Sequence, residues 1–230
     1  MQELHKRRVE VAINIWGEIL SGVFSDRYEL AEFLREAYEE NGLEPIRGKT
    51  KIDIYDKELA TVYLVGKYGL GLEEEFEKFS ELFSIEIKSE KVIERVQRGE
   101  SPRTAMIEIF GSPDENMVFR VLRLAMTAVL LGFMPEDVFI SILSSFEKDF
   151  PELEKNFQGF KRFYIAYRIA EEIAAGKVRN RIEKETLKHA MCVRLNAEKA
   201  APPDWFIREI AVEALRVPER KVNSALSLSD

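Results

Sequence analysis

A chain of 230 residues with 46% hydrophobic and 10% aromatic side chains has apolar mass for one large core or two small ones, which excludes a disordered chain. Its single cysteine, Cys192, excludes a disulfide scaffold, and its longest apolar run, Leu124 to Met134, is shorter than the about 20 residues of a spanning helix. A formal charge of −7 argues against a dedicated nucleic-acid coat, although residues 151–200 carry 11 basic against 7 acidic side chains.

The N-terminal HKRRVEVAINIW mixes charge into its apolar residues, unlike a secretory leader, so a soluble cytoplasmic protein is expected. Charged residues are 33% and glutamines only three, a balance that suits a thermophile. Ala12, Ile15, Trp16, Ile19 and Val23 follow helical spacing, and so do Leu30, Phe33, Leu34, Ala37 and Tyr38. Asn41-Gly42 stops the second helix. A third helix is predicted from near Tyr55 to Tyr68-Gly69, and a fourth over Leu72 to Phe83 behind Glu73-Glu74-Glu75. Two short stretches alternate like strands, 51–55 and 84–88, and could pair as a small β-ribbon.

Ser101-Pro102 and Ser112-Pro113 each set a capping serine before a first-turn proline, and Ser112 with Glu115 completes a capping box. The helix that follows is apolar on most sides from Val118 to Leu131, the mark of a buried central helix. Pro135 opens the next helix, and Pro151 follows its end near Phe150. Further helices are predicted near 157–175, 180–200 and 204–217, with a short one after Pro218.

Four constellations could carry chemistry. Gly48-Lys49-Thr50 ends like a phosphate-binding P-loop. However, five residues separate Gly42 from Gly48 where the motif has four, and a helix precedes the glycines where a strand should. What remains is a basic loop. Arg47, Gly48, Lys49 and Lys51 could hold an anion such as phosphate, or simply be solvated cations balancing nearby glutamates. Glu185, His189 and Cys192 share a helical face as a candidate metal set, but the chain supplies few further ligands, and a buried apolar cysteine is the favoured reading. A thiol nucleophile at Cys192 is disfavoured by its mid-helix place.

In FQGFKRFYIAYRIAEEIAAGKVRNR, the aromatics Phe160 and Tyr164 alternate with Lys161, Arg162 and Arg168. That pattern could stack and grip single-stranded RNA, although an aromatic stripe at helical spacing is more often core. A helix–turn–helix reading around Leu59 to Phe83 fails, because the second helix would present three glutamates to phosphates.

The block from Glu40 to Lys49, with Tyr55-Asp56-Lys57-Glu58-Leu59 and Val65-Gly66-Lys67-Tyr68-Gly69-Leu70-Gly71, resembles archaeal proteins of a family with no assigned function. The resemblance covers mainly residues 40–72 and implies no catalytic residue.

The expected fold is all-α: an irregular bundle of about ten helices around an apolar central helix (118–131), with one small β-ribbon as an option. It is expected as a single domain over 1–230 with a candidate lobe seam near 99–102. The favoured function is non-catalytic binding or assembly through a helical surface, as a homo-oligomer or with a protein partner. The alternative is a binder of RNA or of a phosphate-containing anionic ligand. No cofactor and no membrane association are expected.

Overall fold

The computed structural model describes residues 3–42 and 51–227, with side chains described over 6–42 and 58–227. The described residues are 76% helical and hold twelve α-helices, with no strand among them. The chain divides into two compact units that meet in sequence at Pro151 and Glu152. Gly99 to Pro102 lies inside the first unit, as the turn between two of its helices.

The first unit contains α1 (Glu3–Leu20), α2 (Arg27–Glu40), α3 (Lys51–Leu64), α4 (Glu75–Lys78), α5 (Ser84–Gln97), α6 (Pro102–Phe110), α7 (Glu115–Leu130) and α8 (Glu136–Asp149). α7 is its hub. It packs against α3, α5 and α8, and buries Val118, Val121, Leu122, Leu124, Ala125 and Met126. The apolar run that predicts a central helix therefore does lie at the centre of this unit.

Asp114 rather than Ser112 caps α7, its carboxylate accepting the Met117 N–H at 3.0 Å. The predicted fourth helix survives only as α4. Aromatic residues of this segment surround Trp16: Phe76, within α4, meets that ring edge-on at 5.2 Å, and Phe83, beyond α4, stacks on it at 5.4 Å.

The β-ribbon does not form. Residues 51–55 open α3 and 84–88 open α5. The alternation at 84–88 misleads because Glu86 is a buried position, 3% exposed, rather than a solvent-facing one. Arg27 grips its carboxylate with two N–H groups at 2.5 and 2.8 Å. With Glu86 counted as internal, the buried positions 86, 89, 90, 93 and 96 follow a helical period.

The second unit contains α9 (Glu154–Ala174), α10 (Arg181–Arg194), α11 (Asp204–Glu209) and α12 (Glu219–Leu226). Here α9 is the hub, packed against the other three. Phe157, Tyr164, Ile165, Tyr167, Ile169 and Ile173 fill the unit's interior. Lys184 is fully buried, and its ammonium meets both oxygens of Asp204 at 2.7 Å.

Several helices stop in the same way. After α7, Gly132 takes φ +81°, its N–H bonds Val129 O at 3.0 Å, and the Phe133 N–H bonds Ala128 O at 2.8 Å. This pair of bonds satisfies carbonyls that the helix end leaves open, and the left-handed position favours glycine or asparagine. Asn196 does the same after α10 at φ +47°.

Among the described residues, no helix is long and apolar enough to cross a membrane.

Candidate functional site

The last turn of α3 widens. Val65–Gly69 forms a π-helical turn, closed by the Leu70 N–H on Val65 O at 2.9 Å. The cause lies across the core. A Cβ on Gly66 would fall 2.2 Å from Cζ2 of Trp16, so only a glycine leaves room for that ring. The indole N–H of Trp16 also donates to Val62 O at 2.8 Å. A side chain pressed into a helix and bonded to one of its carbonyls is an established cause of such wide turns.

The wide turn aims Lys67 and Tyr68 at α5. There Glu90 Oε2 accepts the Tyr63 hydroxyl and the Lys67 ammonium, each at 2.5 Å. The Tyr68 hydroxyl donates to Glu90 Oε1. Lys67 also stands over the Tyr68 ring, 5.5 Å from its centre. Burial holds the Tyr63 and Tyr68 phenols well above the ordinary range, and their hydrogen bonds to Glu90 add to it. Both therefore stay protonated donors at neutral pH.

Glu90 sits on the wall of a cleft of about 180 Å³. Glu90, Ile93, Glu94 and Gln97 line it from one face of α5, at i, i+3, i+4 and i+7. Leu124, Ala125 and Ala128 of α7 form an apolar floor. Tyr68 and Phe133 stand at the mouth, 50% and 36% exposed, with ring centres 5.7 Å apart. The capping bonds around Gly132 fix Phe133 there. The cleft thus combines an apolar interior, an aromatic pair and two carboxylates one helical turn apart.

This site was missed from sequence, although a signal exists. Glu86, Glu90 and Glu94 recur every four residues on α5. Like charges at that spacing repel one another on a helix, so each calls for its own partner. Arg27 serves Glu86, and Lys67 serves Glu90. Among the described residues, Glu94 faces a distant Arg98 at 3.8 Å, with both side chains well exposed.

The residues singled out from sequence fall elsewhere. Arg47, Gly48 and Lys49 lie outside the described residues, and so does the side chain of Lys51. On α9, Lys161 is 2% exposed and Tyr164 fully buried, whereas Arg162 faces solvent and Phe160 is half-buried. These residues are divided between core and surface rather than gathered on one stacking face. Glu185 bonds Lys184 and Lys188, His189 is exposed, and Cys192 is buried, with its thiol pushed up by desolvation. Among the described residues, no group of three or more His, Cys, Asp or Glu is placed to hold a metal.

No curated protein and no solved structure matches this chain. A family model matches residues 2–226, nearly the whole sequence, in keeping with the resemblance carried by residues 40–72. The chain belongs to the family described as an uncharacterized protein conserved in archaea (DUF2192).

Proposed function

We propose that this chain is a non-catalytic binding protein of the cytoplasm, from a thermophilic archaeon, and that the cleft beside Glu90 is where it takes its ligand. The observation that supports this is the cleft's make-up. A concave apolar floor with a few convergent polar groups is the usual form of a ligand site. Its size narrows the occupant. At about 180 Å³ it is smaller than the roughly 300–1,000 Å³ of drug-sized sites, so it suits a single head group or side chain rather than a nucleotide.

The polar groups favour holding over reacting. Glu90 is neutralised by Lys67 and steadied by two phenols that stay protonated. A general base needs a free, poised proton acceptor, and a nucleophile needs a base beside it. The cluster instead reads as a preorganised wall of fixed hydrogen-bonding groups.

Mapping amide chemical shifts during titration with a panel of small amphiphiles tests this reading. Binders should perturb residues 65–69, 90–97 and 133–135 together. Ala128→Phe, which fills the floor, should abolish those shifts while leaving the far-ultraviolet spectrum helical. A panel that perturbs residues only elsewhere would sink the assignment of the cleft.

A further inference from the structure

The chemistry of the cleft wall defines a ligand class, an inference that rests on the cleft being the binding site. A carboxylate offers about four acceptor positions. Three donors reach Glu90: Tyr63 and Lys67 on one oxygen, and Tyr68 on the other. One position on Oε1 is left. Glu94 follows one turn along the same face, with 46% of its side chain exposed. Against these two carboxylates stand Lys67, which pairs with Glu90 at 2.5 Å, and the exposed Arg98, 3.8 Å from Glu94 and outside the cleft lining. Glu73 and Glu94 both lie near enough to act on the Tyr68 hydroxyl, so the mouth is acidic as well.

The cluster already displays what it can recognise. Lys67 presents an ammonium that rests on Glu90 Oε2 and over the face of the Tyr68 ring. A carboxylate and an aromatic face together are a favourable setting for an alkylammonium. The carboxylates alone would attract any cation. The apolar floor and the Tyr68–Phe133 pair favour one that carries carbon.

We propose that the cleft takes an organic cation, an ammonium on a short apolar stem. The ammonium donates to the remaining acceptor position of Glu90 and is held by Glu94. The stem lies on the floor between α5 and α7, under the Tyr68 and Phe133 rings. An inorganic cation loses the contribution of the floor, and a carboxylate or phosphate of the same size is repelled by the wall.

Three probes of matched size decide the matter: phenethylamine, 2-phenylethanol and phenylacetate, each titrated into the full chain with amide shifts followed. The amine should bind saturably at residues 65–69 and 90–97, and at least tenfold more tightly than the other two. Its affinity should fall roughly tenfold in Glu94→Gln, an exposed change that leaves the fold alone, and should weaken as salt rises. Equal binding of the alcohol or the acid in the cleft would overturn the ligand class and leave the cleft assignment standing. Failure of all three to perturb the cleft would overturn both.

A fourth probe, N-acetyl-lysine methylamide, assigns the source. Tighter binding than phenethylamine points to a protein's lysine, and weaker binding to a free amine; either result upholds the class.

Discussion

Replacing Gly66 by alanine puts a methyl group where the Trp16 ring already is. The new Cβ would sit 2.2 Å from Cζ2, against an ordinary contact of 3.4–4 Å, so the ring must retreat by more than 1 Å. It has nowhere to go. Trp16 is 1% exposed, stacked on Phe83 and wedged by Phe76. Overpacking of this kind costs about 1–3 kcal/mol. Any shift also breaks the indole bond to Val62 O and strands a buried N–H donor, for about another 1–3 kcal/mol. Alanine returns about 1 kcal/mol of helix propensity, because Gly66 does not have a positive φ.

The expected net loss is about 3 kcal/mol, a large share of the roughly 5–15 kcal/mol of a typical fold. In a Trp16→Leu background the obstacle is gone, and Gly66→Ala should become neutral or stabilise by up to about 1 kcal/mol. Urea unfolding of the four proteins, followed by circular dichroism, measures the cycle. A coupling of about 2 kcal/mol or more is expected. Equal costs in both backgrounds would refute the idea that the ring is what forbids a side chain at position 66.

Two further outcomes follow from buried polar groups. Burial, and then the bond to Glu90, raise the Tyr63 phenol in the folded state above its unfolded value of about 10. The unfolded chain then loses this proton first, so the contribution is whole below about pH 10 and is lost as pH rises further. Above pH 10 the wild-type stability should fall more steeply than that of Tyr63→Phe, by about 1.4 kcal/mol per pH unit. Parallel unfolding curves between pH 10 and 11 would contradict this. In the second unit, Asp204→Asn removes the two-oxygen grip on fully buried Lys184 but leaves it Glu185 at 2.9 Å. The loss should therefore be about 2 kcal/mol, below the 3–5 kcal/mol of a buried charge left alone. Adding Lys184→Met should recover at least half of it; no recovery would mean that the buried ammonium is not the source of the loss.

The helices were largely legible because their apolar residues carry the period. The run around Val118 to Leu131 and the caps at Ser101-Pro102 and Pro135 are cases in point. The period was lost where charge enters the interior. Glu86 and Glu90 occupy core positions of α5, each with its partner more than 20 residues away in sequence. A scan that assigns glutamate to solvent sees alternation there and predicts a strand. The same blindness hid the cleft, whose polar wall is built from those internal glutamates. The π turn was out of reach for another reason: it is dictated by the fit of Trp16 against Gly66, a contact between residues 50 apart that no local pattern announces. On α9 the error runs the other way. Lys161 looks like surface by type, yet its ammonium reaches the Asn196 carbonyl from inside the second unit.

The wide turn at Val65–Gly69 also gives α1 a role at a distance. Among the described residues, none of α1 lines the cleft. Yet Trp16 of α1 sets the backbone that carries Lys67 and Tyr68 to Glu90. An isolated α3 has every reason to continue as an ordinary helix, since nothing in its own ladder of hydrogen bonds favours a wider turn. The cleft wall therefore depends on α1 being packed against α3, although α1 stands outside it. The seating of one remote indole thus shapes the backbone on which the polar side of the cleft is built.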